Sequence, residues 1–505
     1  MSKIKKAVVG LLITILFIFA FASCGDENTN KSSDVISNNG QNTADGGDTA
    51  EGQPDNQINY DSLPAIDCGG AEFVIANMDG YTWTDVTLDV EAEETGELLS
   101  DAIYRRNRVV EEKYNITIKV IPVQYGTIKT KVRNQMAAGY CEYDITQAPM
   151  GHDLMTLSTE NQIADANKLP NLDLSNPWWD HFAHESTSIC GKQFYLFGDF
   201  TIADKEYATA VFLNKQMQHS YGLPDYYQMV RDGTWTIDKM LDSMKAVTID
   251  IDGNGKWTKD DQYGFVVNTA SSIMAFYGAG ETMVKKDAGD IPYWTINNES
   301  YINAFTKMCE FMNTGNTTAE AFSLGSHQDT MFAEGKALFD CTLISSIRAP
   351  EGGTQSFRDV EQWDFGLLPP AKLNEQQERY YSLMDGLFSP CIAVINNDAE
   401  RVGRAAVILE ALNAKSSEEV RTKYYELALP AKYIRDDDSF EMIELIMNNR
   451  IFDLAQTYNW GKISEQINTI FNKNRAEQLI SFIEQNLDKA DIAMREDIEK
   501  IQSLD

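Results

Sequence analysis

The chain has 505 residues and a formal net charge of −33 at pH 7, from 43 Lys and Arg against 76 Asp and Glu. This acidic balance argues against binding to nucleic acid and against docking on anionic lipid through a basic patch. The length exceeds what one hydrophobic core usually serves, so we expect two folded domains. Beyond the first 22 residues no long apolar run follows, so we expect no later segment to span a bilayer.

The first residues have the composition of an export signal. Three lysines precede an apolar run at 7–22, which ends in small residues before Cys24. This order predicts a secretory signal peptide over residues 1–23. The cysteine after Ala-Ser resembles the lipobox of bacterial lipoproteins, with Phe21 in place of the usual Leu. That resemblance implies acylation of Cys24, for example with palmitate. The alternatives are an uncleaved signal anchor and a signal peptide whose cysteine is incidental.

A polar segment at residues 24–61 follows the leader. It consists mainly of Asn, Ser, Thr, Gly, Asp and Gln, with few apolar side chains. Such a segment cannot bury enough apolar surface to offset the entropy of ordering, so we predict a disordered tether. An anchor, a tether and a large folded body together predict a protein held at the extracellular face of the cell membrane.

From residue 72 onward the chain alternates between strand and helix patterns. Strands are predicted at 72–76, 116–123 and 143–146, with amphipathic helices at 101–114 and 129–138 between them. This alternation predicts an α/β fold with a parallel sheet flanked by helices. Further strands are predicted at 193–197, 208–213, 264–267, 337–341 and 390–395, and further helices at 238–247, 301–313, 398–414 and 476–503.

Several short strings in this region have a distinctive order and spacing. They are DAIYRRN at 101–107 with EEKYN at 111–115, NPWWD at 176–180, GTWT at 233–236 with DQYG at 261–264, FAEGKA at 332–337, and DFGLLPPAK at 364–372. Together they resemble the extracellular solute-binding proteins of sugar ABC transporters, the family-1 type related to maltodextrin-binding protein. The resemblance extends from about residue 72 to the end of the sequence.

The resemblance implies a periplasmic-binding-protein-like (type II) fold, with two α/β lobes joined by a hinge and a ligand in the cleft between them. By the order of elements, lobe one is expected to comprise residues 62–200 and 376–415. Lobe two is expected to comprise residues 201–375 and the helix-rich 416–505. Ligands of such sheets bind beyond the carboxyl ends of strands. This rule selects four loops for the cleft, at residues 77–85, 148–151, 268–272 and 384–389.

Sugar recognition requires two kinds of side chain, and the candidate regions contain both. Aromatic faces stack on the C–H face of a pyranose, while carboxylates and amides bind its hydroxyls. The candidate ligand-binding residues are Asn77, Asp79, Tyr81, Trp83, Trp178, Trp179, Asp180, Tyr277, Asp385 and Trp460. Core packing is the competing role for each aromatic residue. We favour Trp83 most, because it lies in a polar loop after a strand. Of Trp178 and Trp179, we expect one to pack and the other to contact ligand.

A metal-binding pattern lies at residues 250–261. It matches the EF-hand loop D-x-D-x-N-G, with Gly255 at the sharp turn. The predicted ligands of a structural calcium ion are Asp250, Asp252, Asn254, Lys256 through its carbonyl, Thr258 and Asp261. Asp261 takes the twelfth position, where Glu is usual, and its shorter reach favours a lower affinity. The alternative is a polar turn that holds no metal.

Catalytic patterns find little support in the sequence. There is no G-x-S-x-G elbow, no H-E-x-x-H and no phosphate-binding P-loop. His181 and His184 would share a helical face but have no evident third metal ligand. Six cysteines follow Cys24 at wide spacings without a CxxC pair, so we expect mostly free thiols. We therefore predict that the protein is not an enzyme.

The resemblance implies a monomeric solute-binding protein that captures a carbohydrate by hinge closure and delivers it to an ABC permease. Two other functions remain open from the sequence. One is a surface module that binds or senses carbohydrate without feeding a transporter. The other is a secreted carbohydrate-active hydrolase, because any two of the many carboxylates could meet in the fold. Within the transport hypothesis, a peptide or a polyamine is a possible solute.

Overall fold

The computed structural model describes residues 59–80, 90, 93–347, 357, 363–424 and 436–504. The signal peptide at 1–23, Cys24, the predicted tether as far as residue 58, Tyr81 and Trp83 lie outside the described residues. Among the residues that are described, no helix combines the length and apolar character needed to cross a membrane.

The described elements alternate in type through the first lobe and become mostly helical toward the end. The strands are β1 Ala71–Asp79, β2 Ile116–Gln124, β3 Ile145–Pro149, β4 Thr209–Asn214, β5 Tyr263–Val267, β6 Val284–Lys286, β7 Pro292–Trp294, β8 Thr318–Glu320, β9 Ala337–Leu343, β10 Phe365–Leu368, β11 Ser382–Leu383, β12 Pro390–Val394 and β13 Arg450–Ile451. The helices are α1 Leu98–Tyr114, α2 Ile128–Ala137, α3 Met155–Thr159, α4 His181–Thr187, α5 Lys215–Ser220, α6 Tyr226–Arg231, α7 Ile237–Val247, α8 Thr269–Tyr277, α9 Glu299–Met312, α10 Gln328–Ala333, α11 Ala399–Thr422, α12 Asp437–Met447, α13 Leu454–Tyr458, α14 Ile463–Asn472 and α15 Leu479–Ser503.

Sheet one forms the core of lobe one and has the strand order β12-β3-β1-β2. β1 is parallel to β2 and β3, whereas β12 is antiparallel to β3. Residues 73–78 of β1 are all buried, as expected for a strand covered on both faces. Helix α1 buries Ile103 and Val110 and ends at Asn115, whose φ of 49° allows the chain to turn into β2. Helix α11 packs against α1 over this sheet.

Sheet two forms the core of lobe two and has the order β10-β4-β9-β5-β8. β5 is parallel to β8 and β9, but β4 and β10 run antiparallel to their neighbours. The carboxyl ends of β5, β8 and β9 therefore meet at one edge of the sheet. A short parallel pair, β11 with β13, lies outside both main sheets. The α/β prediction is confirmed, and the structure has the two-lobed fold that the resemblance implied.

The strand predicted at residues 193–197 is wrong. This segment is buried but forms only isolated bridges, including one between Leu196 and Ile392 of β12. A short apolar run indicates burial, and burial alone does not specify a ladder of hydrogen bonds. The six described cysteines are free thiols, and four of them are buried.

Candidate ligand-binding site

A cavity of about 960 Å³ lies at the carboxyl ends of the parallel strands of sheet two. Residues 268–274, which follow β5, line one side of it, and Thr342, Ser345 and Ser346 at the end of β9 line another. The loop at residues 268–272 was selected by the rule that ligands bind at this edge of an open sheet. The cavity volume is within the range of small-molecule sites.

Two further parts of the chain complete the cavity. The segment that joins the lobes contributes Leu383, Asp385, Leu387 and Phe388, from the predicted loop at 384–389 and the end of β11. The C-terminal helices contribute polar side chains from α13 to α14, among them Gln456, Asn459, Asn468, Thr469 and Asn472. The cavity thus contacts elements that are far apart in the sequence.

Asn268 shows how the sequence positions the polar lining. It is the N-cap of α8, and its Oδ1 accepts hydrogen bonds from the backbone N–H groups of Ala270 at 2.7 Å and Ser271 at 2.8 Å. The Ser271 hydroxyl completes the capping box by accepting from the Asn268 N–H at 2.8 Å. This cap fixes the start of α8 at the cavity, and the helix presents small polar side chains there.

Three aromatic residues line the cavity: Tyr207, which is buried, and Phe322 and Phe388, which are more exposed and lie at separate places. Phe322, just beyond the carboxyl end of β8, is 51% exposed and lies edge-on to His327 with ring centroids 5.3 Å apart. Phe388 lies against His152 with centroids 5.0 Å apart, and the ring of Tyr125 also contacts that imidazole, with centroids 5.8 Å apart. Because His152 follows β3 and Tyr125 follows β2, lobe one reaches the cavity through Phe388.

Of the predicted ligand-binding residues that the structure describes, Asp385 lines this cavity and the others do not. Its Oδ1 accepts hydrogen bonds from the N–H groups of Leu387 at 2.9 Å and Phe388 at 3.3 Å. Burial raises the pKa of Asp385 to about 6, although these two hydrogen bonds act in the opposite direction. The carboxylate therefore shapes the turn that carries Phe388 into the cavity.

The two tryptophans of the NPWWD string pack inside lobe one. Both are buried, and the indole Nε1 atoms of Trp178 and Trp179 donate to Glu410 of α11 at 2.9 Å and 3.0 Å. Asn176 donates to the same carboxylate at 2.6 Å. Neither indole lines the cavity. Asp180 caps α4 through the Ala183 N–H at 2.9 Å and pairs with Arg450 of β13.

The other described candidates also lie away from the cavity lining. Asn77 is buried in β1 opposite Gln147 of β3, and Asp79 is exposed and accepts from the Gly80 N–H at 2.8 Å. The Tyr277 hydroxyl is buried and donates to Asp453 at 3.0 Å. Trp460 stacks on Tyr458 with ring centroids 4.8 Å apart and donates to Asp497 at 3.1 Å.

The sequence did not identify Phe322 or Phe388 as candidates. Phe388 lies in a selected loop, but the selection there rested on Asp385. Phe322 follows β8, which has three residues and no apolar alternation. If a strand had been predicted there, the carboxyl-end rule would also have selected the loop after it, which contains Phe322.

The predicted calcium loop brings three carboxylates together. One oxygen each of Asp250, Asp252 and Asp261 lies within 4.8 Å of the others. Asp250 accepts from the N–H groups of Gly253 at 2.9 Å and Gly255 at 2.7 Å, and both glycines have positive φ angles. These oxygens, and the Asn254 side chain at the loop's fifth position, are the hard donors that calcium prefers.

Asp261 is held by its own loop. Its Oδ1 accepts from the Ile251 N–H at 2.9 Å and its Oδ2 from the Thr258 N–H at 2.8 Å. Burial alone would raise the pKa of Asp261, but these hydrogen bonds and the Thr258 hydroxyl outweigh it and lower the pKa. An ionised carboxylate at the closing position fits a bound cation.

His181 and His184 do not form a metal pair. The Nε2 of His184 accepts from the Phe197 N–H at 3.0 Å, and burial lowers the pKa of this imidazole to about 4. His181 Nε2 lies 3.0 Å from the Asn176 carbonyl oxygen. A nitrogen of each ring lies within hydrogen-bond distance of a backbone group instead.

The chain has a fold shared with solved sugar-binding proteins. The ABC substrate-binding protein Lmo0181 from Listeria monocytogenes, solved with cycloalternan, is 14% identical, and the match covers 86% of this chain and 98% of that chain at a TM-score of 0.50. A cyclo/maltodextrin-binding protein complexed with maltotetraose is 15% identical over 86% and 98%, at a TM-score of 0.54.

UspC from M. tuberculosis is 14% identical, with 84% and 100% of the two chains covered and a TM-score of 0.54. No protein-family model matches the chain, and no curated protein matches it by sequence. At these identities the likeness concerns the fold alone. The resemblance inferred from the sequence is confirmed at that level: the chain has the two-lobed fold of the maltodextrin-binding proteins.

Proposed function

We propose that this protein is a monomeric, extracellular, lipid-anchored solute-binding protein that captures a carbohydrate and delivers it to an ABC permease. The observation that carries the proposal is the cavity, which combines many amide and hydroxyl side chains with the exposed aromatic ring of Phe322. The solved structures that share the fold include proteins bound to cycloalternan and maltotetraose, which supports a carbohydrate for this chain as well.

The chemistry of the lining suits a neutral polyhydroxylated ligand. Asn268, Gln328, Asn468 and Asn472 offer both donors and acceptors, which a sugar hydroxyl can satisfy in either role. Phe322 and Phe388 offer apolar faces for the C–H face of a pyranose. A buried amide left unpaired is unfavourable, so such a lining favours ligands with dense hydroxyl groups over apolar ones.

Capture follows from the way the lobes meet at this cavity. His152 of lobe one contacts Phe388, which itself lines the cavity. A ligand that contacts both sides would favour the closed arrangement of the lobes, and that arrangement would be recognised by the permease. Binding and release by this route make and break no covalent bond, so the protein acts without catalysis.

The leader supports the anchoring part of the proposal. The basic start, apolar run and Cys24 after Ala-Ser are typical of exported lipoproteins. Mass spectrometry of the membrane fraction tests it: we expect a diacylated N-terminal Cys24 in the wild type and unanchored protein for Cys24→Ala. Full-length protein without lipid in the cytosol would contradict it.

We further propose that residues 250–261 bind one calcium ion, with Asp250, Asp252, Asn254, Lys256, Thr258 and Asp261 as ligands. The convergence of Asp250, Asp252 and Asp261 supports a structural role in lobe two. The loop lies between α7 and β5, so calcium would brace the connection that leads into the sheet.

Thermal-shift and calorimetric titrations with a panel of monosaccharides and oligosaccharides test the function. We expect at least one sugar to raise the melting temperature and to bind with a stoichiometry of one. Chromatography of the sugar after prolonged incubation should recover it unchanged. Turnover of any oligosaccharide would favour a hydrolase, and no response to the whole panel would contradict carbohydrate capture.

A further inference from the structure

Two amide side chains of the cavity wall form no hydrogen bond with any described residue of the chain. They are Gln328, the first residue of α10, and Asn468, in the middle of α14. The Oε1 atom of Gln328 and the Oδ1 atom of Asn468 are both buried and lack a partner among the described residues. Buried polar atoms without a partner are rare in folded proteins, because each loses its hydrogen bonds to water and gains none in return.

The start of α10 fixes the position of Gln328. His327 is the N-cap of this helix, and its Nδ1 accepts a hydrogen bond from the Asp329 N–H at 3.3 Å. The helix packs on β9 and β5 of sheet two, and Gln328 is only 2% exposed. A side chain so enclosed cannot turn its amide to bulk solvent. The cavity that it lines is therefore the side from which a partner can reach this amide.

Asn468 belongs to the polar face of α14. Ser464 and Asn472, about one turn before and one turn after it, also line the cavity. Ile467 and Phe471 of the same helix are buried in the core. The helix is thus held by its apolar face, and Asn468 lies in the strip of polar residues that forms the cavity wall.

Other amide side chains of the lining already serve the fold. Asn268 caps α8 through two backbone N–H groups. The Oδ1 of Asn472 accepts a hydrogen bond from the Ser272 hydroxyl, which joins α14 to α8. The Oδ1 of Asn459 accepts from the Glu465 N–H at 3.4 Å. These amides hold the wall together, whereas the two unpartnered amides contribute to no such bond.

A sugar supplies the groups that the two amides lack. A hydroxyl can donate to an amide oxygen or accept from an amide nitrogen. The terminal torsions of Gln and Asn are broad and roughly two-fold, so either end of the amide can turn to the ligand. We propose that Gln328 and Asn468 determine which sugar the cavity accepts, by forming with its hydroxyl groups the hydrogen bonds that they do not form within the chain.

The proposed pair would discriminate between sugars by the positions of their hydroxyl groups. A sugar whose hydroxyls lie elsewhere leaves the two amides unpaired and is rejected for that reason. This inference rests on the proposed function, since it assumes that a sugar occupies the cavity.

Melting temperatures without ligand test whether the Gln328 amide is unpartnered. Gln328→Met replaces it by an apolar side chain of similar length, so we expect a melting temperature equal to that of the wild type or up to about 2 °C higher. Gln193→Met is the matched control. Gln193 is also 2% exposed, but its Nε2 donates to the Thr187 hydroxyl at 3.1 Å, so this variant should melt at a lower temperature. A lower melting temperature of Gln328→Met would overturn the proposal.

Calorimetry with maltotetraose and cellotetraose tests the role in specificity. These sugars carry the same hydroxyl groups in a different linkage. We expect Gln328→Met and Asn468→Leu each to weaken binding of the preferred sugar about tenfold and to bring the ratio of the two affinities closer to one. Gln193→Met should keep the wild-type ratio in its folded fraction. A wild type that binds both sugars equally, or variants with an unchanged ratio, would overturn the specificity role.

The inference and the proposed function fail separately. If the wild type gives no heat with either tetrasaccharide, the proposed function fails for these sugars, and the melting temperatures without ligand still decide whether the Gln328 amide is unpartnered. If the wild type binds and both variants bind as tightly, the inference is overturned while carbohydrate capture stands.

Discussion

The imidazole of His152 lies against the ring of Phe388, with centroids 5.0 Å apart. His152 follows the last parallel strand of lobe one, and Phe388 lines the cavity beside lobe two. Through this contact a side chain of lobe one supports the cavity wall. Burial lowers the pKa of His152, so a neutral imidazole is expected there at pH 7.

Removing the ring of Phe322 or of Phe388 should weaken sugar binding. We expect Phe322→Ala and Phe388→Ala to lower the affinity about tenfold each, since an aromatic stacking contact contributes about 1 kcal/mol beyond its buried area. Calorimetry with the best sugar from the panel measures this. Tyr293→Ala is the control, because Tyr293 is 45% exposed in β7 and does not line the cavity. If both Phe variants bind the sugar with unchanged affinity, the sugar does not bind in this cavity.

Asp385 should make stability depend on pH in a definite direction. Its pKa is about 6 in the folded protein against 3.8 ordinarily, so the folded state binds more protons between these values. Its contribution to stability is therefore present below pH 4 and is lost as the pH rises to about 6. The loss amounts to about 3 kcal/mol by linkage.

Asp385→Asn removes this titration. Urea titrations at pH 4 and pH 7 give the change in the free energy of unfolding between these pH values. We expect this decrease to be about 3 kcal/mol smaller in the variant than in the wild type. Parallel pH profiles of variant and wild type would show that the carboxyl group is not perturbed.

Glu410 should be a stability residue without a role in ligand binding. Its carboxylate accepts from Asn176, Trp178 and Trp179, and Glu410→Ala would leave these buried donors unpaired. We expect a loss of about 3–5 kcal/mol in the free energy of unfolding. Glu400→Ala, at an exposed position of the same helix, should change stability by less than about 0.5 kcal/mol. Sugar affinity of the folded fraction should match the wild type, and a selective loss of affinity would contradict the structural role.

Calcium should stabilise the wild type and not a loop variant. We expect millimolar calcium to raise the melting temperature of chelator-treated protein by several degrees, by binding the folded state. The double variant Asp250→Asn/Asp261→Asn should show no shift. The control Asp238→Asn, which removes a carboxylate from nearby α7 outside the loop, should keep it. A melting temperature indifferent to both calcium and chelator would rule out the site.

Gly151 should tolerate no side chain. A Cβ placed on it would lie 2.9 Å from both the Leu387 Cα and the Thr457 carbonyl oxygen, so the lobe-one loop, the joining segment and α13 meet here. Because the clashing atoms are backbone, we expect Gly151→Ala to destabilise the protein by about 1–3 kcal/mol. Gly403→Ala is the control, because a Cβ on Gly403 would meet nothing closer than Pro170 Cγ at 3.9 Å. If Gly151→Ala and the wild type have equal melting temperatures, the backbone around residue 151 can move apart to accommodate the Cβ at no cost in stability.

The sequence predicted part of the lining of the candidate site. The carboxyl-end rule selected four loops. Residues from those at 268–272 and 384–389 line the cavity, whereas no described residue of those at 77–85 and 148–151 does. The rule depends on strand direction, which the alternation of strand and helix patterns indicates for the parallel strands. The tryptophan predictions depended on long-range partners instead. Glu410 lies 232 residues from Trp178, and nothing near the NPWWD string indicates that a carboxylate will cover both indoles.

The antiparallel strand β12 has a consequence for how the protein forms during synthesis. Sheet one gains this strand, and the cover of α11 over α1, from residues made about 240–270 positions after β3. At a translation rate of about 5–20 residues per second, the delay is on the order of 15–55 s. During that interval the first half of lobe one presents an unfinished sheet edge and bare helix faces. A nascent chain in this state exposes apolar surface that chaperones can bind until β12 and α11 have been made.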